Sequence, residues 1–289
     1  MSVKRINQGG QTLPIKEFKL DSMVENPAIV LIAKRGSGKS WVCRSILKNF
    51  RSIPVGVIIS PTEKMADPPF YSEFLPDTYV HYEYKTELIE KILYRQQYMI
   101  EKKKEKRMNE NKTIDARAFI LMDDCLSSKG SWGKDKPVMD LLYNGRHFQL
   151  MYILTMQFPL GIEPSLRLNF DYIFLLADDN VSNLKRLYDH YAGMFPNLEA
   201  FKQVFEQLTR DFGAMVIVNR GVRNNFLEKI YWFKAYDEKI GYIGCKQFIK
   251  NHEDNYDKNW RKRNAGIHME DLIMKKKGNN FKINVDKVE

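Results

Sequence analysis

Cysteine is scarce in this chain: Cys43, Cys125 and Cys245 are its three thiols. Three scattered cysteines build no disulfide framework and supply no CxxC metal pair, so a reducing compartment fits best. No His or Cys cluster has metal-ligand spacing. Long apolar runs are missing too, and none approaches the roughly 20 residues of a membrane helix. The opening stretch MSVKRINQGGQTLPIKEF contains no apolar segment of a secretory signal. The expectation is a soluble protein with no membrane span. Acidic residues are outnumbered, with 36 Asp and Glu against 46 Lys and Arg, a formal charge of +10. Such an excess favours polyanionic partners. Nucleic acid comes ahead of an anionic membrane, because no basic amphipathic anchor stands out.

What is present is a globular share of apolar residues, 44% of 289. That supports one large α/β domain or two small ones. Short apolar runs recur at 28–33, 55–60, 79–82, 119–122, 150–155, 172–177 and 214–218. Several are continuous, as in parallel strands covered on both faces. Helical patterns lie between many of them, at 41–50, 86–108, 138–143, 182–191 and 198–208. Strand alternating with helix predicts an α/β fold with a central, largely parallel sheet and helices on both faces. Residues 1–25 read as a polar, loosely structured lead-in, 26–220 as the core, and 221–289 as a C-terminal extension with a basic tail. The run KKKEKR at 102–107 reads as a solvated helix end, with a nucleic-acid contact as the alternative.

The stretch AIVLIAKRGSGKSWVCRSIL, residues 28–47, holds the most specific signal. A strand runs into the octet Ala33-Lys34-Arg35-Gly36-Ser37-Gly38-Lys39-Ser40, and a helix follows. This is the context of the phosphate-binding P-loop pattern G-x-x-x-x-G-K-[ST], with Ala33 in place of the first glycine. Gly36 and Gly38 let the backbone curl so that its N–H groups converge on a phosphate. The helix N-terminus adds positive potential. Lys39 reaches the β- and γ-phosphates, and Ser40 offers a hydroxyl to Mg²⁺. Alanine at position 33 is tolerable while its φ stays negative.

A second strand, in ARAFILMDDCL at 116–126, delivers Asp123 and Asp124 at its C-terminal end, where ligands of open α/β sheets bind. Asp123 is a candidate Mg²⁺ anchor. Asp124 is a candidate base for the attacking water, a post often filled by the longer Glu. The roughly eighty residues between loop and acidic pair leave room for an additional strand, at 55–60 or 79–82. No N-K-x-D stretch for reading guanine occurs. A third strand, 150–155, ends at Met156-Gln157, which makes Gln157 a candidate γ-phosphate sensor. Asn144-Gly145-Arg146-His147 precedes it.

The ordered set AKRGSGKS, ILMDD, NGRH and Gln157 resembles the DNA-translocating ATPases of the FtsK/HerA superfamily. It is most similar to the poxvirus-type packaging ATPases of large cytoplasmic DNA viruses and virophages. The resemblance covers roughly residues 26–220. It implies a P-loop NTPase of the additional-strand type that hydrolyses ATP with Mg²⁺. It implies a homo-oligomeric ring, a pentamer or hexamer, around double-stranded DNA, working with capsid or portal proteins in the cytoplasm of an infected host cell. By the same resemblance Lys39, Asp124, Gln157 and Arg146 are catalytic, with Arg146 a candidate arginine finger donated to a neighbouring subunit. Arg167 and Arg186 are its rivals. Ser128–Lys136, with Lys129, Lys134 and Lys136, is a candidate DNA-contact loop. A nucleotide-gated scaffold or loader with little turnover is the alternative function, and a nucleotide kinase ranks below both.

Overall fold

The structure is a computed structural model, and it describes residues 3–8, 11–125, 135–222 and 225–259. The chain divides into two units, Met1–Ile249 and Lys250–Glu289. The first unit is built on an eight-stranded sheet of order β10-β9-β8-β3-β7-β6-β4-β5. In chain order its strands are β3 (Ala28–Ile32), β4 (Gly56–Ile59), β5 (Val80–His81), β6 (Ala118–Met122), β7 (Leu150–Met156), β8 (Tyr172–Leu176), β9 (Gly213–Val218) and β10 (Ile230–Lys234). All pairings from β8 through β3, β7, β6 and β4 to β5 are parallel. β9 runs antiparallel to both of its neighbours. The largely parallel sheet therefore stands as the sequence pattern predicts, with two strands added beyond β8. The strand separating the loop strand β3 from the acidic strand β6 is β7. The expected strands near 55–60 and 79–82 both form, outside β6.

The continuous apolar runs have the expected cause. Every residue of β6, β7, β8 and β9 is buried, as strands covered on both faces require. Alternate side chains feed two separate cores. Val30, Ile32, Ile120 and Met122 join one cluster, whereas Ile29, Leu31, Phe119 and Leu121 join the other. Helix α1 (Lys39–Asn49) packs Val42, Cys43, Ile46 and Leu47 into the second cluster. Helices α2 (Thr86–Glu110), α3 (Lys136–Asn144), α4 (Val181–Tyr191) and α5 (Leu198–Leu208) pack into the first. The Phe119 ring lies over its register partner Gly56, where a Cβ would sit 2.0 Å from the ring. Helix α6 (Lys246–Asn255) starts in the first unit and reaches the residue range of the second.

Residues 1–25 differ from the expected loose lead-in. They contain a hairpin, β1 (Val3–Gln8) and β2 (Gln11–Lys16), paired antiparallel with Ile15 opposite Lys4. Ile15, Phe18 and Leu20 are buried. Phe18 N donates to Trp232 O at 2.8 Å, and Glu17 bridges to Trp232. The segment therefore covers the β10 edge, an exposed template for pairing in an open sheet. The polar composition disguises this, because three apolar side chains suffice to dock it. In the basic run at 102–107, Lys106 pairs with Glu110 and Lys103 donates to Gln149 Oε1, in keeping with a solvated helix end. Ile15→Ala should lower stability by about 2–4 kcal/mol, read as a fall in Tm. A truly loose segment would leave Tm unchanged.

Candidate functional site

The order of the strands brings three chain segments to one edge. In register, Ile32 lies opposite Met156 and Leu154 opposite Met122. The residues that follow β3, β7 and β6 are the octet, Gln157 and the Asp123–Asp124 pair. All three line one cavity of about 750 Å³, within the usual size range of small-molecule sites.

The octet has the backbone its chemistry requires. Gly36 and Gly38 have φ of 79° and 95°, the left-handed region that favours glycine. Gly38 is the N-cap of α1. Ala33 is buried and continues the strand, its N–H donating to Met156 O at 2.9 Å. It has no positive φ, which is why a methyl group is accepted there. Ser37 Oγ donates to Lys34 O at 2.6 Å and closes the turn. Lys34 Nζ pairs with Asp179, which follows β8, at 2.5 Å. Arg35, Lys39 and Ser40 line the cavity.

Asp123 is the buried charge of the site, with its side chain 4% exposed. Lys39 Nζ stands 3.0 Å from Oδ1. Thr155 Oγ1 donates to the same oxygen at 2.6 Å. Ser60 Oγ donates to Oδ2 at 3.4 Å. Thr155 Oγ1 also accepts the N–H of Asp124 at 3.0 Å. Asp124 has a left-handed backbone, φ 54°, and its Oδ2 accepts from Gln157 Nε2 at 2.6 Å. Sequence reasoning foresaw the acids and the glutamine, but not Thr155 as the hydroxyl joining them.

The field of Asp123 is felt around it. Burial first, and then its negative charge, raise the thiols of Cys43 and Cys125, the latter to about 12, and the Tyr71 hydroxyl. Tyr71 lines the cavity, and its hydroxyl is buried without a hydrogen-bond partner. The Asp123 carboxylate and the Ser40 side chain both line the cavity and are hard-oxygen donors of the kind that suit Mg²⁺, which takes one or two protein oxygens alongside phosphate and water. No group of three or more His, Cys, Asp or Glu fit to hold a metal occurs among the described residues.

Other lining residues carry no motif. Glu63 is buried and accepts from Tyr71 N at 2.6 Å and Ser72 N at 3.2 Å through Oε1. Trp41, Phe70, Phe212 and Tyr236 complete the aromatic walls.

Arg146 is not brought to this edge. Its Nη2 meets Asp171 Oδ1 at 2.5 Å, and Asp171 Oδ2 accepts the N–H of Ala28 at 2.9 Å. Ala28 begins β3 and the octet follows its other end. The five-residue strand separates them by about 16 Å. Within one chain Arg146 therefore clamps the base of β3, and a finger role requires its presentation to another subunit. Arg167 is buried, donates to Ile162 O and lies 5.6 Å from the Tyr191 ring. Arg186 lies 5.1 Å over Phe158, the residue after Gln157. Of the candidate DNA loop, Lys136 opens α3, whereas Lys129 and Lys134 lie outside the described residues. The basic tail's WRKR at 260–263 and KKK at 275–277 lie outside them as well.

The family model described as "Poxvirus A32 protein" matches residues 15–222. The chain belongs to that family. This agrees with the poxvirus-type resemblance of its motifs. A similar relative is "Uncharacterized protein L437" of Acanthamoeba polyphaga mimivirus, 44% identical over 278 residues, 95% of this chain and 96% of the relative. Among solved structures, the conjugation coupling protein TcpA of pCW3 with ATPγS superposes at a TM-score of 0.53. It has 12% identity, over 81% of this chain and 65% of that one. That likeness speaks to the fold alone. B204, the DNA-packaging ATPase from Sulfolobus Turreted Icosahedral Virus, superposes at 0.49 with 15% identity, over 74% of this chain and all of that one.

Burial raises the pKa of Asp171 above the ordinary value, while Ala28 N–H, Arg146 and Arg220 oppose the shift. Its ionised form therefore burdens the fold at neutral pH. Arg146→Ala should cost about 1–2 kcal/mol there, since the guanidinium is 54% exposed and partly screened by water. The loss should be full above the variant's further-raised pKa for Asp171 and vanish below that of the wild type, where the acid is protonated in both folded chains. Thermal melts across pH check this, and a pH-independent loss would contradict it.

Proposed function

We propose that this chain is an ATP-driven double-stranded DNA translocase that packages a viral genome into a preformed capsid. Membership of the A32 family supports an ATPase of the packaging type. The single observation carrying the chemistry is the linked set Lys39–Asp123–Thr155–Asp124–Gln157, all of which but the buried Thr155 line one cavity beside a glycine-shaped loop. In this reading the octet N–H groups and Lys39 hold the polyphosphate of ATP. Ser40 and Asp123 would hold Mg²⁺, which when bound withdraws charge from the β- and γ-phosphate oxygens. Asp124 takes the proton of the attacking water, and Gln157 orients that carboxylate and contacts the γ-phosphate.

Arg146 is proposed to serve a neighbouring subunit of a homo-oligomeric ring of five or six copies, and its half-exposed guanidinium supports this. Capsid or portal proteins are the proposed further partners, and the cytoplasm of the infected cell the proposed location. No helix among the described residues is long and apolar enough to cross a membrane. One observation favours the gated scaffold instead. Gln157 already occupies an oxygen of Asp124 at 2.6 Å, which weakens Asp124 as a base.

Steady-state ATP hydrolysis with and without long double-stranded DNA tests the motor. Turnover stimulated by DNA, lost in Lys39→Ala and falling at high salt is the expected result. ATP binding without turnover in either condition would favour the scaffold. Thr155→Val keeps the shape but removes the hydroxyl from both acids. It should lower kcat about 10- to 100-fold, the usual effect of losing a partner that orients a metal or catalytic carboxylate, and lower Tm as well, because Asp123 Oδ1 and the Asp124 N–H each lose a hydrogen bond. An unaltered kcat would remove Thr155 from the mechanism.

A further inference from the structure

Phe212 stands out in the cavity wall. Asp211 and Phe212 are consecutive non-glycine residues in the left-handed region, with φ of 52° and 61°. Side chains on L residues crowd the backbone there, so each such residue is strained. Strain of that kind persists where the surroundings impose it, and it clusters at ligand sites. Burial does not explain it, because Phe212 is 64% exposed. The strain aims the ring at the phosphate loop, where it lies 3.5 Å from the position of a Cβ on Gly38.

Tyr236 joins it on the lining from a different segment. Its N–H donates to Ser45 Oγ at 2.9 Å, which ties the chain after β10 to α1. Its ring packs 5.7 Å from the buried Phe233 ring. Ser45 lies six residues beyond Lys39, about 9 Å along the helix. That is the scale on which a ribose and base follow a polyphosphate held at the helix start. The other aromatic wall is already engaged. Trp41 and Phe70 meet edge to face at 5.9 Å, and the Arg44 guanidinium lies over both rings.

We propose that Phe212 and Tyr236 form the shelf on which the purine base of the bound nucleotide stacks. This rests on the reading of the octet as a polyphosphate site. Base–aromatic stacking is sequence-tolerant and worth about 5- to 100-fold in affinity per ring. The shelf therefore adds a second anchor and leaves phosphate recognition to the loop.

Inorganic tripolyphosphate separates the two anchors, because it has the phosphates without the base. Dissociation constants of ATP and tripolyphosphate, both with Mg²⁺, are measured by calorimetry on the full chain. The wild type is compared with Phe212→Ala, Phe212→Leu, Tyr236→Ala and Lys39→Ala. ATP should bind the wild type more tightly than tripolyphosphate. Phe212→Ala and Tyr236→Ala should each weaken ATP about 5- to 100-fold and leave tripolyphosphate unchanged. Phe212→Leu, which keeps bulk but no π-face, should fall between wild type and Phe212→Ala. Lys39→Ala should weaken both ligands. Equal weakening of both ligands in Phe212→Ala would overturn the shelf and make the ring a brace for the loop. No change in either would also overturn it. Tripolyphosphate bound as tightly as ATP by the wild type would refute the shelf while the phosphate site stood. Binding of neither ligand would bring down both.

Discussion

A buried carboxylate is the constraint on which the rest of the structure depends. Asp123 sits with almost no exposure, and an unpaired charge there would be prohibitively costly. Its side chain takes Lys39 from the start of α1, Thr155 from β7 and Ser60 from the end of β4. Its own N–H donates to Ile59 O at 2.8 Å. Four segments distant in sequence must therefore arrive together. β7 has to lie between β3 and β6 for Thr155 to reach, and that order also delivers Gln157 beside Asp124. Satisfying one charge and assembling the site are the same event.

The opposite end of β3 is governed by a second buried acid. Asp171 accepts the N–H of Ala28 and meets Arg146 and Arg220 at 2.5 and 3.7 Å. Asp171 N in turn donates to Ala28 O at 2.7 Å. The start of β3 is thus held by one acid-centred network, and the segment after its other end joins a second through Lys39. At one end it runs into the glycine-shaped octet. At the other it meets a guanidinium open to solvent.

Much of this was legible in the sequence for physical reasons. Continuous apolar runs declared the strands buried on both faces, and Gly36, Gly38, Lys39 and Ser40 declared the loop, since few backbones need that combination. Asp123, Asp124 and Gln157 were visible because each ends such a run. Other parts left no local signal. Thr155 reads as an ordinary strand former, and only the pairing of β6 with β7 turns its hydroxyl towards two acids. Glu63 and Tyr71 lie in a proline-containing stretch that looks like surface loop, yet both are buried. The backbone of Asp211 and Phe212 cannot be inferred, because nothing in the residue types calls for it. The hairpin escaped notice because its docking partner, Trp232, lies more than two hundred residues away. Arg146 was recognisable as a distinctive residue, but its ion pair with Asp171 depends on tertiary placement.

The environment of Asp123 also settles how the thiols respond to reagents. Cys43 and Cys125 are buried, and burial together with the neighbouring negative charge keeps both protonated. The thiolate is the form that attacks electrophiles, so these two are shielded twice, by access and by ionisation. Cys245 is exposed and follows β10 on the chain segment joined to Pro54 O through its own N–H. The wild-type chain therefore carries a ready-made single attachment point for a maleimide dye, and its motions can be followed optically without replacing any residue.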